Sequence, residues 1–442
     1  MTRPTIVWFR DDLRLADHPA LTAALDRGGP VVLLYVLDEQ SPGVRPLGGA
    51  TRWWLHHSLA AHAARIAGLG GRLVLRRGPA ERVLPEVVAE TGAGAVVWNR
   101  RYTPAREVDA RLKESLRASG VEAASFAANL LVEPGRVATG SGAYRVFTPF
   151  WRAVRQHGVR DPLPAPPALP GGVEAASEHL DDWGLLPRPD WAAGLRATWE
   201  PGEDAARRRL DDFATGGLAH YDRRDEPAVP TSGLSPHLRF GEVSPAQVWR
   251  RVHGDVPPAA RAHVGKFLSE LGWREFHAHT LFAHPDLATR NQRPAFDAFP
   301  WSWDHGPEVE AWQRGRTGIP LVDAGMRELW HTGTMHNRVR MVVASFLVKN
   351  LLRHWRIGEE WFWDTLVDAD EASNPGNWQW VAGSGSDAAP YFRIFNPVTQ
   401  AQKFDPDGAY VSRWVDAPLE PIVDLAASRR EALDAFDSIR PR

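Results

Sequence analysis

The chain has 442 residues, 43% hydrophobic and 24% charged, with a formal net charge of −2. It is too long for one ordinary core, so two domains are expected, and its composition is that of a soluble globular protein. The absence of cysteine excludes disulfides, thiolate metal ligands and cysteine nucleophiles; with no apolar run of about 18 residues and no leader pattern at the N-terminus, no membrane span is expected and a cytoplasmic protein is.

Thr5–Phe9 and residues 30–36 are short runs rich in Val and Ile that read as buried strands. Residues 72–76, 95–98 and 121–126 look similar. Helical patterns at 20–26, 52–69, 80–90 and 106–119 lie between them. Strands alternating with helices predict a parallel α/β sheet whose ligands sit beyond the strand C-termini. The loop Arg10-Asp11-Asp12-Leu13-Arg14 follows the first strand and is either part of such a site or a solvated, capping turn. No GxGxxG or Walker A sequence accompanies it.

Seven prolines between 162 and 189 mark a connector with little regular structure. From about residue 200 the pattern is helical. The expected layout is an α/β domain at 1–133, a Pro-rich linker at 134–198 and an all-helical domain at 199–442. Of 20 Trp, only Trp8, Trp53, Trp54 and Trp98 precede residue 130.

Four stretches carry chemistry. Thr231-Ser232-Gly233-Leu234-Ser235, before a helix start, suits a phosphate, or else is an ordinary N-cap cluster; Tyr221-Asp222-Arg223-Arg224 lies just upstream. Glu270, Trp273 and Arg274 share a helix face and could hold a planar heterocycle and a phosphate; a surface ion pair beside a core Trp is the plainer alternative. Residues 331–356 contain five Arg or Lys and no acid, and Asn337, Arg340 and Met341 fall on one face there. Residues 368–380 place Asp368, Asp370 and Asn374 before Trp378 and Trp380. That spacing is not a calcium loop, and hydrogen bonding to a polar ring suits it better, with Asp368 a partner for Arg340. No hydrolase, kinase or His-metal motif is present.

Together these stretches resemble the photolyase/cryptochrome family, and the resemblance spans the chain. The blocks at 8–14 (Trp-Phe-Arg-Asp-Asp-Leu-Arg), 144–150 (Tyr-Arg-Val-Phe-Thr-Pro-Phe), 231–235, 272–276 (Gly-Trp-Arg-Glu-Phe), 315–320 (Gly-Arg-Thr-Gly-Ile-Pro), 335–341 and 387–397 are all similar to family signatures. The resemblance implies FAD bound in a helical C-terminal domain. Tyr221, Thr231, Ser232, Leu234 and Ser235 would hold its phosphates and ribityl chain, Arg340 and Asp368 would pair beside the isoalloxazine, Asp370 would meet its polar edge and Asn374 would face N5. Glu270 and Asn337 would touch both cofactor and substrate. Trp378, Trp355 and Trp303 would relay electrons, Trp303 being preferred over Trp301 and Trp312.

Within the family, Asn337 and Met341, with Glu270 and Trp273, resemble the cyclobutane-dimer lyases, whereas (6–4) lyases carry His at both helix positions. Plant-type cryptochromes tend to carry Asp where this chain has Asn374, and no long tail is expected after Pro397. The implied function is light-driven splitting of cyclobutane pyrimidine dimers in damaged DNA, by a monomer. A cryptochrome-like blue-light receptor is the alternative, and a non-photochemical nucleotide-binding module a further one. Glu270 would be a buried, neutral acid, and Arg223 or Arg224, Arg274, Arg338 and Arg393 would bind phosphates. Folate-binding relatives carry Asn-Glu where this chain has Ala105-Arg106, which leaves a deazaflavin, a folate held differently or no antenna chromophore open.

Overall fold

The structure, a computed structural model, describes residues 2–140, 142–388, 391–417 and 419–440. Ala389 and Pro390 of the 387–397 block lie outside the described residues. Strands β1 (Thr5–Phe9), β2 (Val31–Leu37), β3 (Leu73–Arg77), β4 (Ala95–Asn99) and β5 (Glu122–Phe126) form one parallel sheet in the order β3-β2-β1-β4-β5. Helices α1 (Pro19–Asp26), α2 (Gly49–Gly68), α3 (Ala80–Thr91) and α4 (Arg106–Ala118) are the crossovers. β1, β2 and β4 are buried along their whole length, because helices cover both faces. The order reverses beside β1, which opens a crevice at the strand C-termini. Trp8, Arg10, Tyr35, Arg45, Arg101 and Glu371 line it.

The loop after β1 is no solvated turn. Arg10, Asp12 and Arg14 are buried. Arg14 donates to the carbonyls of Asp17, Ala128 and Gly241, and Asp11 pairs with Arg239 of the helical half. Gly241 sits at φ +62, where a Cβ would fall 2.2 Å from the Asp11 carbonyl oxygen; only glycine lets the two halves approach so closely.

The connector holds more structure than its prolines suggest. Helix Phe147–His157 falls inside it. Phe147, Phe150, Trp151 and Val154 repeat at helical spacing, and the last three are buried in a core shared with Leu271 and Phe276. The prolines dominate only further along.

The C-terminal half is helical. Its 26-residue helix Pro258–Ala283, helix Asn337–Ser345 with its π-type continuation Phe346–Asn350, helix Trp355–Thr365 and helix Ser373–Ala382 carry nearly all the residues of interest. No helix among the described residues is long and apolar enough to cross a membrane.

Candidate active site

Helix Asn337–Ser345 is aimed by its cap. The His336 Nδ1 accepts from the Arg338 amide, while its Nε2 meets the Arg224 carbonyl at 2.8 Å. One ring nitrogen must therefore accept and the other donate, which is the neutral imidazole. Burial agrees, holding this histidine down to about 4. From that start Arg340 reaches back. Its Nε donates to the Met335 carbonyl at 2.7 Å, and its two terminal nitrogens reach Asp368 at 3.2 and 3.0 Å. The Asp368 side chain is almost buried, whereas 26% of the Arg340 side chain is exposed. Asn337 and Met341 stand one turn apart, the Asn337 amide 3.9 Å from the Met341 sulfur, and both are open to solvent on one side. Arg340, Asp368, Asn337 and Met341 thus come together as the helical spacing predicts.

Asp370 lies just before helix Ser373–Ala382 and accepts from the Ala372 and Ser373 amides through one carboxylate oxygen. Asn374 follows in that helix and is buried. Its Nδ2 donates to the Glu359 side chain at 2.8 Å and to the Glu359 carbonyl at 2.9 Å. Its Oδ1 takes no donor among the described residues. The amide is therefore locked with its acceptor unspent. Glu359 is held in turn by Arg45 of the N-terminal half at 2.6 and 2.9 Å, and burial raises its carboxyl above the usual range. Neither Glu359 nor Arg45 is among the residues expected from the sequence. The 314 positions separating them leave no local signal for the pair.

Tyr221 is buried edge-on to Phe267 at 5.5 Å. Leu234 is buried, and Thr231, Ser232 and Ser235 line the approach to a helix of only five residues, Ser235–Arg239. So short a helix adds little dipole; the hydroxyls and amides are what this stretch offers. Trp273 is half-buried, and Phe147 stacks on one of its faces at 4.0 Å. Glu270 departs from expectation. Its side chain is 36% exposed, and Arg224 and Lys266 each stand 3.6 Å away. The desolvation that would make it a neutral acid is not there.

Trp378 is buried and packs over Gly358, where a Cβ would fall 2.0 Å from the indole. Trp355 lies one turn back on the same helix face, its indole nitrogen bonded to Asn291 at 2.9 Å. Trp303 is 54% exposed and stacks on His354 at 3.7 Å. The His354 ring in turn lies 5.6 Å from Trp355. Trp301 is buried instead, and Trp312 meets Trp378 edge-on at 6.2 Å.

The expected DNA-contacting cations divide. Arg223 pairs with Glu226, Arg224 with Glu270 and Arg338 with Asp225. Arg393 has no carboxylate partner among the described residues and donates only to the Tyr391 hydroxyl, at 3.1 and 2.8 Å. Arg274 does not join them. It turns to the Asn129 carbonyl and to Glu275, at 3.1 and 3.2 Å. A neighbouring buried carboxylate draws it into the interface between the halves, and Glu275 itself is pushed up to about 7 by burial.

Residues 5–168 match the family model for DNA photolyase, and residues 267–418 match that for the FAD binding domain of DNA photolyase. The chain belongs to the DNA photolyase family. It is 50% identical to a deoxyribodipyrimidine photo-lyase of Agrobacterium fabrum, over 99% of this chain and 98% of that one. The crystal structure of a bacterial class III photolyase from Agrobacterium tumefaciens superposes with a TM-score of 0.94 at 49% identity, covering 99% of this chain and 98% of that one. Cryptochrome-1 of Arabidopsis thaliana is 39% identical over 93% of this chain, which spans 62% of its length.

The side chains of this photolyase-family site fit a flavin. The unspent Oδ1 of Asn374 can accept one N–H, the exposed edge of Arg340 can donate to a ring oxygen, and the second oxygen of Asp370 takes no donor among the described residues. The 231–235 stretch offers further hydroxyls. In the antenna region Arg106 lies against Phe282 at 4.0 Å, so its charge is stacked on a ring instead of reaching into the crevice.

Proposed function

We infer that this chain is a light-driven deoxyribodipyrimidine photo-lyase that splits cyclobutane pyrimidine dimers in DNA with FAD as its catalytic cofactor. One observation carries the site: helix Asn337–Ser345 presents Asn337 and Met341 beside an Arg340–Asp368 pair, with the Asn374 acceptor held ready in helix Ser373–Ala382. Reduced FAD, when bound, supplies one light-driven electron and takes it back after the ring has split.

The protein binds and orients. Asn374 and Arg340 with Asp368 hold the ring edge; Asp370, Tyr221, Thr231, Ser232, Leu234 and Ser235 hold the rest. An extruded dimer is easiest to unstack at a damaged site. Trp273, braced from behind by Phe147, gives it an apolar plate, and Met341 a soft contact. Glu270 and Asn337 supply polar groups to the dimer's edge. Glu270 has Arg224 and Lys266 as cationic neighbours, each at 3.6 Å. Trp378 and Trp355, with Trp303 at the surface, form the reduction relay. Arg223, Arg224, Arg338 and Arg393 hold phosphates. We read the crevice at the strand ends, with Trp8 and Tyr35 among its cations, as the place for any antenna chromophore. In this reading the protein acts as a cytoplasmic monomer.

Glu270→Ala and Trp273→Ala are expected to keep visible flavin absorbance yet lose repair of a dimer-containing oligonucleotide. Full repair by both would reject this site.

A further inference from the structure

We propose that Lys349 is a positioning residue for DNA binding, fixing from below the backbone that presents Arg393; the proposal rests on the reading of Arg393 as a phosphate contact. Lys349 lies in the π-type turn Phe346–Asn350, a feature that often marks functional positions in helices. It is buried. Its Nζ donates to the Arg393 carbonyl and lies 4.4 Å over the Phe392 ring. No carboxylate pairs with it among the described residues. Burial and the Arg393 charge hold it down to about 7.

A lysine kept in such surroundings without a counter-ion is costly unless its hydrogen bond serves a purpose. Here the same helix does two jobs. Its first two turns carry Asn337, Arg340 and Met341. At its far end Ser345 accepts from the Phe395 amide at 3.1 Å, and Lys349 grips the Arg393 carbonyl. The Arg393 segment is thereby registered against the residues that meet the dimer. The Arg393 guanidinium itself faces Tyr391, Trp380 and Phe395 at 5.2 to 5.9 Å, so it is held by rings and left for an anion.

The test is a double-mutant cycle on the flavin-loaded protein, read as affinity for a fluorescent DNA duplex. Lys349→Met keeps the length and removes the donor. It is expected to weaken DNA binding about three- to ten-fold while thermal stability is kept or rises, since an apolar replacement of a buried charge is often neutral or better. In the Arg393→Ala background the same change should do nothing further. Ser345→Ala should follow the same pattern more weakly, and it carries the cycle should Lys349→Met not fold. Unchanged affinity in Lys349→Met, or an equal loss in the Arg393→Ala background, overturns the proposal. No loss in Arg393→Ala alone refutes the phosphate reading as well; a loss there with Lys349→Met unaffected refutes only the role of Lys349.

Discussion

Arg14 and Arg340 lie in opposite halves of the molecule and are held differently, Arg14 by carbonyl and amide oxygens alone and Arg340 by a carbonyl and the Asp368 carboxylate. Arg14 is fully buried and donates along every edge of its guanidinium, to Asp17, Ala128, Gly241 and Asn129. Arg340 keeps an exposed edge beside Asp368. The asparagines repeat the contrast. Asn99 spends both ends of its amide, on Asp12 and on the Ala20 amide, whereas Asn374 spends only its nitrogen. A saturated buried polar group is framework; a half-spent one awaits a ligand.

The largest expected effect breaks the framework side. Arg14→Met should cost about 3–5 kcal/mol or abolish folding, because it strands several buried carbonyl oxygens at about 1–3 kcal/mol each, as urea unfolding would measure. Arg340→Lys, which keeps a cation beside the nearly buried Asp368, should cost far less stability yet release the flavin, visible as lost absorbance after gel filtration. Equal stability losses for the two would erase the contrast. Next, Trp273→Ala removes a stacking plate worth about 1–3 kcal/mol, so affinity for a dimer-containing duplex should fall about 5- to 150-fold with flavin content unchanged.

A smaller effect sharpens the contrast through pH. Glu275 is pushed up to about 7 from 4.5, burial outweighing Arg274 and the Leu131 and Val132 amides. The folded state therefore holds its proton longer than the unfolded one. The contribution is complete below about 4.5 and is lost as pH rises through 7. Stability should fall over that window in the wild type and fall less steeply in Glu275→Gln, as chemical denaturation at several pH values would report. The smallest effect belongs to Arg223, exposed and already paired with Glu226. Arg223→Ala should change DNA affinity by less than about two-fold.

Much of this was legible beforehand, for physical reasons. Strands buried on both faces write themselves as apolar runs, so all five strands stand within a residue or so of their expected bounds. Arg340, Asn337 and Met341 share a helix face by spacing alone. The rest depended on long-range packing. Nothing near Arg274 signals that Asn129 will capture it, and nothing near Asn374 announces Arg45. Glu270 sits in a helix whose burial changes residue by residue, so its exposure had no sequence signature. The Phe147–His157 helix had one, outweighed by the prolines that follow it.

The most direct test of the central claim is to reduce the flavin-loaded protein, add an oligonucleotide carrying a cyclobutane thymine dimer, and follow ultraviolet absorbance under near-ultraviolet or blue light and in darkness. Recovery of thymine absorbance in light alone is the expected result. Reduced, flavin-loaded protein that binds the oligonucleotide and leaves the dimer intact under illumination would contradict it.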